Sequence, residues 1–236
     1  MKKLLIFNPS IEGGGVEKNL ELIANHLSEK FKNKVYFLSY DNSLTLNKSV
    51  NIVKPIIRIN IKNRLFKYII CIFSLIFFYF KNQDFVIFSF QANVYAILIA
   101  KILNKKIIVR ANSAPDKWIN DYKLFIIKYF YKLADKIIVN SFEFQNTVKE
   151  IFNIKSTVIY NPVNKKKIIQ LSKKKKLLPF FDQFKAGIKI LNIGRLTFQK
   201  NQIDLLRAVN ILKNKIPIRL LIIGSGNKKN YLNNYI

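Results

Sequence analysis

Three consecutive glycines near the N-terminus could bind a negatively charged ligand. Gly13, Gly14 and Gly15 follow a short apolar run and precede a segment of helical length. Backbone amides at such a turn, together with the positive end of the helix, favour an anion, which predicts a phosphate or carboxylate site. The glycine spacing of neither a dinucleotide-binding fingerprint nor a P-loop is present, so an ordinary strand-to-helix turn is the alternative interpretation.

A second candidate anion site lies in the C-terminal part of the sequence. Gly194 ends an apolar run, Arg195 follows it, and Lys200 lies shortly before a predicted helix. Ligands of open α/β sheets bind at the carboxyl ends of the strands, so both cations would face that crevice. Arginine can hold phosphate oxygens with two parallel hydrogen bonds and lysine adds a point charge, which predicts a diphosphate site.

Other residues argue against several alternative chemistries. Gly224 and Gly226 also follow an apolar run, but Lys229 stands where a dinucleotide fingerprint requires a third glycine, which argues against NAD. The only histidine, His26, lies in the middle of the first predicted helix, where we expect a partly buried structural role. With Cys71 as the only cysteine, no internal disulfide is possible, and a reducing compartment is expected.

The elements that would position these residues alternate between short apolar runs and segments of helical length. The predicted strands are Leu4–Phe7, Val35–Leu38, Phe85–Phe88, Ile107–Arg110, Lys136–Val139 and Thr157–Tyr160. The predicted helices are Val16–Phe31, Arg64–Phe80, Val94–Leu103, Tyr122–Ala134 and Phe142–Phe152, the last with Ser141 as its N-cap. Continuous apolar runs are typical of parallel strands covered on both faces, so the pattern predicts an α/β fold with a parallel sheet.

The alternation stops after residue 164 and then restarts. We predict one complete Rossmann-like domain over residues 1–164, a basic linker with a short helix over 165–187, and the start of a second domain over 188–236. The second domain would contain strands Lys189–Ile193 and Arg219–Ile223, helix Gln202–Leu212, and a helix that begins after Asn227. Two strands and one full helix are too few to bury a core, so we expect this domain to be incomplete.

Five motifs resemble family 4 glycosyltransferases of the GT-B fold. GRLTFQKN at 194–201 and IIGSG at 222–226 resemble the start of the family's donor domain. GGGVEK at 13–18 resembles its glycine-rich first loop, and ADKIIVNS at 134–141 resembles a strand-to-helix junction of its acceptor domain. YNPVN at 160–164 is similar to the segment that closes that domain. The resemblance implies a GT-B-type architecture with an acceptor domain followed by a nucleotide-sugar-binding domain.

The resemblance also implies an activity and roles for particular residues. The enzyme would transfer a sugar from a UDP- or GDP-linked donor with retained anomeric configuration, and without a metal held by a DxD motif, which the sequence lacks. Arg195 and Lys200 would be catalytic by neutralising the leaving diphosphate. The amides of Gly14 and Gly15 would approach the donor phosphate or the acceptor. Further binding positions would be Gly13, Gly194, Gly224 and Asn112, with no cofactor besides the donor substrate.

Two departures from the family pattern affect these expectations. The family commonly has a histidine in the loop after this strand, whereas the loop after Arg110 contains Asn112. Asn112 could hydrogen-bond a sugar but cannot shuttle a proton. The family's pair of glutamates seven residues apart is absent, because the only acids after Glu150 are Asp182 and Asp204. The resemblance therefore implies a chain truncated within its donor domain and inactive or incomplete by itself.

Charge and hydropathy suggest where the protein acts. The formal net charge is +28, which suits an anionic partner, although the joint abundance of Lys, Asn, Ile and Phe also fits an AT-rich coding sequence. The apolar stretch Ile69–Phe80 is shorter than the roughly 20 residues that span a bilayer. It predicts either a buried helix or a face that rests on a membrane, aided by Lys62, Arg64, Lys67 and Lys81. We expect a cytoplasmic protein at the inner face of the membrane, acting on a glycan or a lipid-linked acceptor.

Two other functions are compatible with the sequence. A non-catalytic basic α/β module could bind an anionic membrane or nucleic acid through Lys165–Lys176, where seven of the twelve residues are lysine. That run lacks aromatic residues for base stacking, so a solvated linker is favoured there and no nucleic acid is expected. Another GT-B enzyme, such as an epimerase acting on nucleotide sugars, would share the fold.

Overall fold

The structure is a computed structural model that describes residues 2–11, 13–113, 121–174, 179–182, 184 and 186–235. The chain divides into two compact units, Met1–Lys165 and Lys166–Ile236. Within the described ranges, the helices are all too short or too polar to cross a membrane.

The first unit is a seven-stranded parallel sheet with helices on both faces. Its strands are β1 Lys3–Phe7, β2 Val35–Leu38, β3 Asn51–Val53, β4 Phe85–Ser89, β5 Ile107–Arg110, β6 Lys136–Val139 and β7 Thr157–Val158. Its helices are α1 Gly15–Lys30, α2 Arg64–Lys81, α3 Asn93–Ile102, α4 Asp121–Leu133 and α5 Phe142–Phe152. The strand order is β3-β2-β1-β4-β5-β6-β7, and every neighbouring pair is parallel. The predicted α/β fold with a parallel sheet is confirmed, and β3 is a strand that the apolar pattern did not predict.

The core lies on both faces of this sheet, which explains why the strands read as uninterrupted apolar runs. Leu5 and Phe7 of β1 belong to a buried cluster that contains Leu75 of α2. Ile6, on the opposite face, belongs to a cluster that contains Leu20 of α1. Side chains alternate between the two faces of a strand, so the buried residues of β1 are covered by helices on both sides of the sheet.

Side-chain caps begin two of the helices in this unit. The Ser141 side chain accepts a hydrogen bond from the Phe144 amide at 3.1 Å, which confirms Ser141 as the N-cap of α5. Asn63 caps α2 in the same way by accepting from the Leu65 amide at 2.9 Å. These caps satisfy amides that have no partner inside the helix, and they fix where the loops after β6 and β3 end.

The second unit contains a pair of parallel strands and several short helices. Its elements are α6 Lys165–Ser172, α7 Pro179–Asp182, β8 Ile188–Ile193, a 3-10 turn Phe198–Lys200, α8 Gln202–Leu212, β9 Ile218–Ile223 and α9 Lys229–Asn233. Helices α6 and α7 fall inside the predicted linker, of which Lys175 and Lys176 lie outside the described residues. Leu191 and Ile193 of β8 are exposed.

Candidate functional site

The order of the sheet creates a crevice at the carboxyl ends of β1 and β4. These strands are neighbours, and the order of the following strands runs in opposite directions from them, which is the arrangement that binds ligands in open α/β sheets. The Phe90 amide donates to the Phe7 carbonyl at 3.0 Å, and the Ser10 amide donates to Oε1 of Gln91 at 2.9 Å. Asn8 and Ser10 are buried, and Asn8 Nδ2 donates to the Ser10 carbonyl at 2.9 Å. Polar contacts therefore hold the loop after β1 against the loop after β4.

The same polar network continues to β5. Ser89 Oγ lies 2.8 Å from Oδ1 of Asn93, and Asn93 Nδ2 donates to the Arg110 carbonyl at 3.2 Å and to the Tyr131 hydroxyl at 3.0 Å. Burial raises the pKa of Tyr131, while the hydrogen bond from Asn93 opposes that rise. The neutral phenol is thus a fixed structural partner, and three strand ends form one ordered edge.

The three glycines lie at the start of α1, as predicted. Gly15 is the first helical residue and Gly14 is the N-cap, without a side-chain hydrogen bond to close the helix end. Gly13 has φ +74°, which favours glycine. A Cβ atom added at Gly13 or Gly15 would meet nothing within 4 Å, so neighbouring atoms of this chain do not require glycine at either position. The side-chain direction is thus open at Gly13 and Gly15, whereas the carboxylate of Glu17 lies 3.2 Å from a Cβ placed on Gly14.

Asn112 lies at the ordered edge of the sheet. Its Nδ2 donates to the Phe90 carbonyl at 2.7 Å and so joins the loop after β5 to the loop after β4. This contact uses the amide nitrogen and leaves Oδ1 as the side-chain atom that could accept from a hydroxyl group. The structure therefore brings Asn112 to the crevice in a defined orientation.

Arg110 is a site residue that the sequence interpretation missed. Its side chain is 1% exposed, and its guanidinium donates to the Ile159 carbonyl at 3.1 Å and to Oδ1 of Asn161 at 2.9 Å. Its buried Nε has no partner among the described residues, and burial lowers the pKa of Arg110. A charged residue at the end of an apolar strand was the available signal. Arg110 anchors the segment that resembles the close of the acceptor domain.

Asp41 is a second residue that sequence reasoning missed. Its carboxylate accepts from the Ile11 amide at 2.9 Å and from Lys67 Nζ at 2.7 and 2.9 Å, with both side chains largely buried. Lys67 is thus tied to the loop after β1, and it does not belong with the cations that could reach a membrane.

Cys71 lies beneath Pro9, with its Sγ 3.8 Å from the Pro9 carbonyl oxygen. Burial of the thiol and, to a lesser degree, the negative charge of Asp41 raise the pKa of Cys71 to about 12. A neutral thiol is a poor nucleophile, so Cys71 is structural.

In the second unit, backbone contacts fix the predicted diphosphate loop. A Cβ on Gly224 would lie 1.8 Å from the Gly194 carbonyl oxygen, and one on Gly226, which has φ +157°, would lie 2.2 Å from the Leu196 oxygen. The Leu196 amide donates to the Ser225 carbonyl at 2.8 Å. Gly224 and Gly226 are thus required for the close approach of two loops. Gly224 supports the site by packing against the backbone of Gly194.

Arg195 and Lys200 belong to this same fixed loop. Buried Gln202 donates to the Arg195 carbonyl at 3.0 Å, and Lys200 Cγ and Cδ lie 4.0 Å from a Cβ placed on Gly194. Lys200 ends the 3-10 turn and precedes α8. Both side chains are exposed, and no described residue forms an ion pair with either one. The loop thus presents two cations whose charge is available to a ligand.

The remaining titratable groups do not form a second reactive centre in the described ranges. His26 is exposed on the outer side of α1, so the expectation that it would be partly buried was wrong. Helix periodicity places residue 26 two positions after buried Ala24, on the opposite side of the helix. Among the described residues, no group of three or more His, Cys, Asp or Glu side chains could hold a metal.

Sequence comparison relates the chain to glycosyltransferases. The family profile described as Glycosyltransferase Family 4 matches residues 13–167. An uncharacterized glycosyltransferase of Methanocaldococcus jannaschii is 32% identical over 163 residues, which cover 62% of this chain and 40% of the archaeal protein. The chain thus matches less than half the length of this relative.

Solved structures share the fold. Anabaena HepE in complex with UDP and glucose has a TM-score of 0.67 at 14% identity, covering 99% of this chain and 64% of HepE. The apo lipopolysaccharide outer core galactosyltransferase WaaB has a TM-score of 0.57 at 18% identity, covering 100% of this chain and 64% of WaaB. Sucrose-phosphate synthase of Thermosynechococcus elongatus has a TM-score of 0.63 at 11% identity, covering 95% of this chain and 71% of that enzyme.

These structural similarities confirm the predicted GT-B-type α/β fold. The profile match extends over more than half of the sequence, from the glycine-rich first loop to the start of α6, and confirms the predicted family. The chain belongs to Glycosyltransferase Family 4.

Proposed function

We propose that this protein transfers a sugar from a nucleotide-sugar donor to a glycan or lipid-linked acceptor. The observation that carries the proposal is the loop at Gly194, whose backbone is held by Gly224, Gly226 and Gln202 while Arg195 and Lys200 remain exposed. Cations held in place before the reaction stabilise developing negative charge without further reorganisation. Family membership favours transfer over the non-catalytic basic module and over an epimerase.

The two cations would act on the departing nucleoside diphosphate. In the reaction, the bond between the anomeric carbon and a diphosphate oxygen breaks, its electron pair leaves with the diphosphate, and the acceptor oxygen bonds to the same carbon. Arg195 would hold two phosphate oxygens and Lys200 would add a point charge. We propose that the acceptor's proton passes to the departing phosphate and that the anomeric configuration is retained.

Residues of the first unit would hold the sugar and the acceptor. Oδ1 of Asn112 is oriented by the Nδ2 contact to Phe90 and would accept from a sugar hydroxyl. The amides of Gly14 and Gly15, at the start of α1, would approach a donor phosphate or the acceptor. Because the sequence has no DxD motif, we propose a reaction that needs no metal held in this way.

The structural neighbours suggest which donors to test first. HepE was solved with UDP and with UDP-glucose, and WaaB is a galactosyltransferase. A UDP-linked hexose is therefore the first donor to test here, with GDP-hexoses second. We place the reaction at the cytoplasmic face of a membrane, where lipid-linked acceptors are accessible.

Nucleotide binding tests the role of the two cations. Isothermal titration calorimetry with UDP and with GDP should show saturable binding to the chain. The affinity should fall about tenfold in Arg195→Met and in Lys200→Met. Lys213→Met is the matched control, because Lys213 is also exposed in the second unit and follows α8 instead of the Gly194 loop. Equal effects of Lys200→Met and Lys213→Met would contradict a specific diphosphate site.

Turnover tests the reaction itself. Incubation with UDP-glucose should release UDP, at a rate that EDTA does not change, and nuclear magnetic resonance should show a product with the donor's anomeric configuration. Inhibition by EDTA or an inverted product would contradict the proposed mechanism. UDP binding without turnover would contradict sugar transfer by this chain, and would agree with the expectation, based on the missing pair of glutamates, that it is inactive or incomplete by itself.

A further inference from the structure

Helix α2 has an apolar face that the protein core does not use. Its inner face is buried through Ile70, Cys71, Ser74, Leu75 and Phe78. Six large apolar residues on the opposite side are exposed, and we call them the outer stripe: Leu65, Phe66, Ile69, Phe73, Phe77 and Phe80. The helix thus has two apolar sides, and only one of them is explained by the fold.

The outer stripe is continuous along the helix. Successive helical residues are about 100° apart, so these six positions fall within an arc of about 120°. Phe73, Phe77 and Phe80 are 56%, 52% and 70% exposed. Single exposed apolar residues are normal, but a contiguous row of this kind is typical of a contact surface.

The segment that leads into α2 carries further exposed apolar residues. Ile56, Ile57 and Ile59 are exposed on both sides of Arg58. The Ile56 amide donates to Ser74 Oγ at 3.1 Å, which places the start of this segment against the buried side of α2, away from the outer stripe. The outer stripe therefore consists of helix residues alone.

The charged residues near the outer stripe in the sequence are basic. Between Asp41 and Asp84 the sequence has no acidic residue, and besides Lys67, which pairs with Asp41, it has six cations: Lys48, Lys54, Arg58, Lys62, Arg64 and Lys81. Lys62 precedes the α2 N-cap and Lys81 ends the helix, so exposed cations stand at both ends of the stripe. Lys81 Nζ lies 4.6 Å from the ring centre of Phe77. This arrangement combines apolar side chains with long cationic ones that can reach out to anions.

We propose that the outer stripe of α2 rests on an anionic lipid bilayer, with its phenylalanines among the acyl chains and Lys62 and Lys81 against headgroup phosphates. A helix with a strongly apolar exposed face and flanking cations binds in the plane of a membrane, and anionic lipids strengthen such binding. The charge pattern favours a bilayer over an apolar protein partner, because an apolar partner would not require that this segment lack acidic residues. This inference rests on the proposed function only in that a lipid-linked acceptor would lie on the same surface.

Vesicle binding tests the apolar part of the surface. The chain should co-sediment with vesicles of phosphatidylcholine and phosphatidylglycerol, and Phe73→Gln combined with Phe77→Gln should weaken binding by about tenfold or more. Both side chains point away from the core, so circular dichroism should show an unchanged fold. Ile211→Gln is the control, because Ile211 is an exposed apolar residue on α8, away from α2 in the chain. Wild-type vesicle binding by the double variant would overturn the proposal.

Lipid composition and charge variants test the electrostatic part. Binding to phosphatidylcholine alone should be about tenfold weaker or more, and Lys62→Gln combined with Lys81→Gln should cause a loss of roughly tenfold on the anionic vesicles. Lys213→Gln combined with Lys215→Gln should have little effect, because these exposed lysines follow α8. Equal binding to neutral and anionic vesicles would overturn the choice of an anionic surface.

Two further measurements separate this inference from the proposed function and from self-association. The variants of α2 should bind UDP like the wild type, whereas Arg195→Met should bind vesicles like the wild type. Failure of UDP binding therefore leaves the membrane inference standing, and the reverse also holds. A dimer in sedimentation that dissociates in the Phe73 and Phe77 double variant, without vesicle binding, would assign the stripe to a second copy of the chain and overturn the proposal.

Discussion

The two units use glycine at their candidate sites for opposite reasons. At Gly13 and Gly15 of the first unit, an added Cβ would meet no atom within 4 Å. At Gly224 and Gly226 of the second unit, an added Cβ would overlap the backbone of Gly194 and Leu196. Glycine in the first unit leaves space open, whereas glycine in the second unit allows two loops to touch.

The difference extends to how each site is supported. In the first unit, side chains such as Asp41, Asn93 and Arg110 hold the strand ends. In the second unit, backbone contacts and the Gln202 side chain hold the loop, while the side chains of Arg195 and Lys200 are exposed. The first site therefore depends more on side chains for its support, and the second depends more on close backbone contact.

The largest effect is expected from Gly224→Ala. The new Cβ would lie 1.8 Å from the Gly194 oxygen, and because the obstacle is backbone, the two loops must separate. We expect the second unit to lose about 3 kcal/mol of stability. Hydrogen exchange of the β8 and β9 amides would measure this loss without interference from the first unit.

Gly194→Ala is the matched control for that experiment. A Cβ at Gly194 would meet side-chain atoms at 3.9 and 4.0 Å, which is ordinary contact, so the change should cost less than about 1 kcal/mol. Similar exchange rates in Gly224→Ala and Gly194→Ala would contradict the view that backbone contact holds this loop.

The next effect tests side-chain support in the first unit. Asp41→Asn removes the charge that pairs with Lys67 and weakens the contact to the Ile11 amide. Because both side chains are largely buried, we expect the free energy of unfolding to fall by about 2 kcal/mol in urea titration. The control Asp84→Asn breaks a solvent-exposed pair with Lys2 and should cost less than about 0.5 kcal/mol.

Arg110→Met should produce a smaller and more local change. The variant leaves the Ile159 carbonyl and Asn161 without their donor but also removes a buried charge, so we expect a net loss of about 1.5 kcal/mol. Hydrogen exchange should increase most directly after β7, at Ile159, whose amide donates to the Val139 carbonyl. Unchanged exchange there would show that Arg110 does not hold the segment.

The smallest stability change is expected at Gly15, where it gives the sharpest contrast with Gly224. Alanine fits the first helical position without a clash, so Gly15→Ala should change the free energy of unfolding by less than about 0.5 kcal/mol. If a phosphate or acceptor approaches this backbone, release of UDP from UDP-glucose should nevertheless fall by about tenfold. Full activity in Gly15→Ala would show that the open space has no ligand.

The sequence predicted most of the fold because the strands are buried on both faces. Runs such as Ile107–Arg110 contain no polar alternation, which distinguishes them from half-exposed strands. Strand β3 was missed because Asn51–Val53 has three residues, too few for a pattern. Over 165–187 the sequence predicted a basic linker with one short helix, whereas the structure has two helices there, α6 and α7. The consecutive lysines of α6 resemble a solvated run, but lysine is also a good helix former.

The candidate site was predictable where chemistry depends on neighbours in sequence. Gly194, Arg195 and Lys200 lie within seven residues, and the structure places them in one loop. Arg110 and Asp41 were not found, because their partners, Asn161 and Lys67, are 51 and 26 residues away. Such partners are brought together by packing, which leaves no regular spacing in the sequence.

By itself, the sequence determined the parallel α/β architecture, the family and the loops that could hold phosphate, since these depend on apolar runs and on glycines and cations close together in the chain. Only the tertiary structure decided which glycines face open space and which touch backbone, and which face of α2 is buried. Helix α2 is apolar nearly all round, so its periodicity could not assign an inner side. That choice depends on how β1, β2 and β4 pack against the helix, which is a property of the whole sheet.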